Sequence, residues 1–90
     1  MRVALMAHDK PGALHIRTAN RQAHLDYIAS TGVVEMAGPL LDGDGQMCGS
    51  LVILNIDSME AARDWAAGDP YNKAGLFNAT TLIEWKKVIG

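Results

Sequence analysis

Hydrophobic and polar positions change period along the chain, and each change marks an element. Val3 to Ala7 is an unbroken apolar run, suited to a strand buried on both faces. Asp9-Lys10-Pro11-Gly12 breaks it and turns the chain. From about Ile16 to Ser30 the period is helical. Ile16, Ala19, Ala23 and Tyr27 form one stripe, with Gln22 and Asp26 opposite. Thr31-Gly32 ends this helix on a glycine. Val33 to Ala37 reads as a strand whose continuation to Leu41 is interrupted by Gly38-Pro39. Asp42-Gly43-Asp44-Gly45 is turn chemistry, and Ser50 to Ile56 is a long β-branched and leucine run, so this stretch reads as an antiparallel hairpin. Asp57 with Glu60 resembles a capping box opening a second helix, which carries Ala62, Trp65 and Ala66 and stops near Gly68. Asp69-Pro70 starts a short turn closed by Gly75, and Phe77 to Trp85 alternates as a last strand.

The order β-α-β-β-α-β predicts an α+β, ferredoxin-like fold. It has a four-stranded antiparallel sheet with two helices on one face, in a single domain over residues 1–90. The far face of such a sheet should be polar. Here Ala4 and Met6 are apolar beside Val3, Leu5 and Ala7, and Leu51 and Ile53 beside Val52 and Leu54. An apolar sheet face marks an interaction surface, and its simplest cover is a second copy. A homodimer through the sheet face is therefore expected, with an unrelated partner as the alternative cover.

Composition narrows the picture further. With 49% hydrophobic and 20% charged residues, the chain is globular rather than disordered. Aromatics are only 6%, so aliphatic side chains and five Met fill the core. Ninety residues leave little volume for an enclosed ligand pocket of about 300 Å³ or more, which places any small-molecule site at an edge or between two chains. The net charge of −2 and the absence of a Lys/Arg run give nucleic acid no footprint. Cys48 is the only cysteine, which excludes a disulfide framework or CxxC site and suits a reducing cytoplasm. The apolar start is too short for a signal h-region, and no segment is long enough to cross a bilayer, so neither a leader nor a membrane is expected.

Five residues are candidates for chemistry. His24 lies beside the apolar stripe of the first helix, two turns after Arg17, and with Arg21 they form a polar border to the core face. A histidine there can move protons, or can be a boundary residue satisfied by a carbonyl. Asp69 would accept the Nδ1 proton of such a histidine and fix its tautomer. N-capping before Pro70 explains the same residue equally well. Asp9 ends the first strand beside the helix edge, and it also belongs to plain turn chemistry. Ser50 flanks Gly49 as a hydrogen-bonding residue; neither it nor Cys48 has a base nearby in sequence. Asp42-Gly-Asp-Gly resembles the opening of a calcium loop, but Met47 and Ile53 stand where the loop needs Gly and Glu. His8, His15 and His24 have no ligand spacing, so no metal or other cofactor is expected.

Taken together, these residues resemble the YCII-related (YciI-like) family over nearly the whole chain. The likeness runs through Asp9-Lys10-Pro11, Arg17, Ala23-His24-Leu25, Ala37-Gly38-Pro39-Leu40, Gly49-Ser50, Ala66-Ala67-Gly68-Asp69-Pro70-Tyr71 and Ala74-Gly75-Leu76. The resemblance implies a dimeric α-β barrel in which His24 and Asp69 face one another as a catalytic dyad. It also implies proton transfer on a hydroxylated ring or enol, with chloride elimination from a chlorinated hydroxyhydroquinone as the associated activity. The wider barrel group includes muconolactone isomerases. On this reading His24 and Asp69 are catalytic, and Asp9, Arg17 and Ser50 bind a small-molecule substrate. A non-catalytic binding or interaction module is the alternative.

Overall fold

The computed structural model describes residues 1–90. Its elements are β1 (Arg2–Asp9), α1 (Leu14–Thr31), β2 (Val34–Leu41), β3 (Met47–Asn55), α2 (Met59–Gly68), α3 (Pro70–Lys73) and β4 (Phe77–Trp85). The sheet is antiparallel throughout, in the order β2-β3-β1-β4. This is the ferredoxin-like arrangement, with α3 as a short addition before the last strand.

The apolar runs form the two central strands. Val3, Leu5 and Ala7 of β1 and Val52 and Leu54 of β3 are buried with Ala62 and Trp65 of α2 in the main core. A smaller core joins Ala13, Tyr71 and Leu76. Gly49 is confined between strands: a Cβ there would collide with the Ala7 carbonyl oxygen. The opposite sheet face presents Met6, Met36, Leu51, Ile83 and Trp85 to solvent. Ile53, paired with Ala4 and Met36, is buried even on that face.

Several local expectations are corrected. β2 does not stop at Gly38-Pro39 but runs on to Leu41, with Pro39 paired to Ser50. It is an edge strand, where a missing N–H need not cost a ladder bond. β3 starts at Met47 rather than Ser50. The cap of α2 is Ser58, whose hydroxyl accepts from Ala61 N, not Asp57. In α1 the expected stripe is only half buried: Ile16 and Tyr27 pack against the core, whereas Ala19 and Ala23 are exposed and Arg17 and His24 are buried. The line Ala13, Arg17, His24 faces inward because both polar side chains find carboxylate partners there. Gly32 closes α1 in the left-handed conformation, its N–H donating to Ile28 O. A register shift between His8 and Asp9 pairs Asp9 with Phe77 and turns Phe77 towards the helices, against Tyr71.

Candidate functional site

The end of β1, the inner line of α1 and the start of α3 converge on one edge of the sheet. Asp69 is followed by Pro70, which restricts it to the extended region it occupies (φ −62°, ψ 126°). Its Oδ1 accepts from Tyr71 N at 3.0 Å, so it caps α3. The same oxygen lies 2.8 Å from His24 Nδ1. Capping and histidine pairing are thus performed by one atom. Both side chains are almost fully enclosed, at 8% and 3% exposed.

The carboxylate partner assigns the Nδ1 proton: Nδ1–H donates to Asp69, which leaves Nε2 with the lone pair in the neutral ring. Nε2 bonds to no protein atom, and no buried side-chain nitrogen or oxygen lacks a partner, so Nε2 opens on free space. That space is a cleft of about 160 Å³ between α1 and the β2–β3 edge. Arg17, Arg21 and His24 border it from α1, Pro39 and Ser50 from the sheet, and Tyr71 from α3.

Arg17 is 2% exposed. Its Nε donates to Asp9 Oδ2 at 2.8 Å and its Nη2 to Asp9 Oδ1 at 2.7 Å, a forked pair; Nη2 also donates to Ser50 Oγ at 3.0 Å. Burial by itself would lower the Arg17 pKa, but the Asp9 bonds and charge hold it above the usual arginine range. Nη1 enters none of these bonds and is open to the cleft, where the guanidinium also interacts with the Tyr71 hydroxyl. Asp9 stands behind Arg17, both oxygens committed to it, and does not border the cleft.

Tyr71 holds the group together. Its ring stacks on the His24 imidazole at 4.0 Å and 17°, and the Arg17 guanidinium carbon lies 4.8 Å from its centroid. Burial pushes the Tyr71 hydroxyl above the usual tyrosine range, against the opposing pull of the Arg17 and Arg21 charges. The hydroxyl donates to no protein acceptor. The sequence reading assigned no role to Tyr71 or Arg21. The signal for Tyr71 was its place two residues after Asp69, where the capping bond fixes its position relative to the carboxylate. On its far side Asp69 also borders a smaller cleft of about 100 Å³, with Asn72 and Thr80.

This arrangement can accept a proton at His24 Nε2, hold the resulting imidazolium against Asp69, and offer donors to an oxygen in the same cleft. No helix of the structure is long and apolar enough to cross a membrane.

Known proteins are similar to the chain in sequence and in fold. Protein YciI from Escherichia coli O6:H1 is 34% identical over a 97-residue alignment covering 98% of this chain and 99% of that protein. An uncharacterised protein from Haemophilus influenzae is 33% identical at the same coverage. Among solved structures, the 5-chloro-2-hydroxyhydroquinone dehydrochlorinase TftG from Burkholderia phenoliruptrix AC1100, in complex with 2,5-dihydroxybenzoquinone, superposes with a TM-score of 0.89. It is 34% identical, covering 96% of this chain and 94% of that one. An antibiotic biosynthesis monooxygenase at TM-score 0.61 and 12% identity shares the fold alone. The profile of the YCII-related domain matches residues 1–86, and the chain belongs to that family.

Proposed function

We propose that this protein is a small cofactor-independent enzyme that uses His24 and Asp69 to move a proton on a hydroxylated ring or enol. Its best specific reaction is loss of HCl from a chlorinated hydroxyhydroquinone. The observation that carries the reading is the buried His24–Asp69 bond at 2.8 Å, with Nε2 left open to a cleft. The likeness to TftG supports the substrate class. In a keto tautomer of the ring, His24 Nε2 takes a proton from the carbon next to the C–Cl carbon. The C–H pair becomes the new C=C bond, and chloride leaves with the C–Cl pair. The proton remains on His24, whose imidazolium Asp69 stabilises. On this reading Arg17 Nη1 and the Ser50 hydroxyl hold substrate oxygens, a role supported by the Arg17–Ser50 bond and by Asp9, which fixes the guanidinium plane.

Turnover of 5-chloro-2-hydroxyhydroquinone tests this. His24→Ala is expected to lower kcat by about 10²–10⁴-fold with the circular dichroism spectrum unchanged. Asp69→Asn should also impair kcat, since asparagine keeps the cap but loses the charge. Full activity of His24→Ala would remove His24 from the chemistry, whereas no turnover by the parent protein, with 2,5-dihydroxybenzoquinone still bound, would leave the chain a binding module.

The working unit is a homodimer through the open sheet face. Met6, Met36, Leu51, Ile83 and Trp85 are too apolar for a face left in water. The cleft of about 160 Å³ lies on the helix side of the sheet, so this assembly leaves its mouth open to substrate. Sedimentation equilibrium at micromolar concentration should give twice the 9.7 kDa chain mass; a clean 9.7 kDa species would overturn the assembly. Cys48, the lone and partly buried thiol, suits a reducing cytoplasm.

A further inference from the structure

The charge balance of the cleft is one-sided. Two arginines and a histidine border it, and no carboxylate does. The Arg17 charge is matched by Asp9 from behind, and a protonated His24 would be matched by Asp69. Arg21 has no carboxylate within ion-pair distance; the three ion pairs in the molecule belong to Arg2, Arg17 and His24. Arg21 is therefore the uncompensated charge of the site.

The donors are equally one-sided. Arg17 is almost fully buried, yet its Nη1 bonds neither Asp9 nor Ser50 and faces the cleft beside the Tyr71 hydroxyl. No buried side-chain nitrogen lacks a partner, so Nη1 is open to the cleft and free to donate to a ligand there. The Tyr71 hydroxyl offers a second uncommitted donor, and the Arg21 charge is close enough to act on that hydroxyl. Arg17, Arg21 and His24 share one side of α1, so these donors and the base address one ligand together.

We propose that the cleft takes its substrate as an anion: an anionic oxygen, either a carboxylate or an ionised ring hydroxyl, is held by Arg21, Arg17 Nη1 and the Tyr71 hydroxyl beside the atom that gives its proton to His24. This deepens the enzymatic reading above and rests on it for the role of His24 alone. The anion neutralises Arg21 on binding, and the same donors keep negative charge on the ring oxygens while the proton leaves. Arg21, at the exposed rim, selects the ligand by charge and speeds its approach.

Calorimetric titration of the intact protein with matched pairs tests the proposal. One pair is 2,5-dihydroxybenzoate and its neutral amide. The other is 2,5-dihydroxybenzoquinone, at a pH where it is ionised, and its dimethyl ether. At least one anion should bind about 10-fold or more tightly than its neutral partner, and the successful pair identifies the source of the charge. Its affinity should fall with added salt, and the neutral compound's should not. Arg21→Gln should weaken the anion about 10-fold without weakening the neutral partner, and Arg21→Lys should recover part of the loss. Equal affinity within both pairs, no loss in Arg21→Gln, or no anion bound at millimolar concentration would each overturn the proposal. Because the readout is equilibrium binding, an inactive protein that shows this pattern would sink the catalytic reading and leave the anion site standing.

Discussion

Two arginines in this chain grip a carboxylate at nearly the same distance and live in opposite surroundings. Arg2 directs its Nε between both oxygens of Glu35, at 2.9 Å each, on the outer part of the sheet. Arg17 uses two nitrogens on two oxygens of Asp9, at 2.8 and 2.7 Å. The side chains of the first pair are 35% and 25% exposed, those of the second 3% and 6%. Water can take either partner's place at Arg2, so little is lost when that pair opens. At Arg17 there is no such substitute, and the desolvation cost of both charges is borne permanently. Apolar side chains of similar volume would serve stability as well at that position. The buried pair makes sense as part of a site: it holds a guanidinium rigidly with Nη1 turned to the cleft.

Removing one member of the buried pair is the strongest way to break this comparison. Arg17→Met leaves the Asp9 carboxylate enclosed without a counter-charge and should cost about 3–5 kcal/mol, read from the urea midpoint. Arg17→Met combined with Asp9→Leu should recover most of that stability while binding of the dihydroxyquinone stays lost. The double variant thus separates the pair's structural share from its share in the site. A single variant that cost no more than a surface substitution would show that the Asp9 carboxylate reaches water after all. A double variant that bound ligand normally would remove Arg17 from the site.

The contrast between the two pairs also explains what could be read from the sequence. The central strands were legible because Val3 to Ala7 and Ser50 to Ile56 are apolar on both sides, and the same property made the open sheet face visible. The inner line of α1 was not legible. Hydrophobic periodicity counts Arg17 and His24 as polar and moves the stripe to Ala19 and Ala23, which the structure exposes. What buries the two polar residues is pairing with Asp9 and Asp69, and the second partner lies 45 residues away. No local pattern records a contact of that separation; the His24–Asp69 pairing was expected from family resemblance. Smaller misses have the same character. Ser58 displaced Asp57 as a cap by one residue, and the register shift at His8/Asp9 turned Phe77 inward against strict alternation.

The exposed pair gives the smallest expected effect, and its pH dependence sharpens the contrast. The Arg2 hydrogen bond holds the Glu35 carboxyl below the usual glutamate range, partly opposed by burial and assisted by the Arg2 and Lys87 charges. A depressed folded-state pKa means that the folded protein holds the Glu35 proton less tightly than the unfolded chain. Its contribution is therefore present above the unfolded value, near about 4.3, and fades as pH falls through the lower folded value. Arg2→Gln should shift the urea midpoint at pH 7 only marginally, and less still in high salt, where surface charges are screened. The small difference from the parent should vanish once the pH is low enough to protonate Glu35 in both states. A large loss at pH 7 that persists in high salt would mean that Arg2 supports the sheet by packing its aliphatic stem, and that exposure alone does not separate the two pairs.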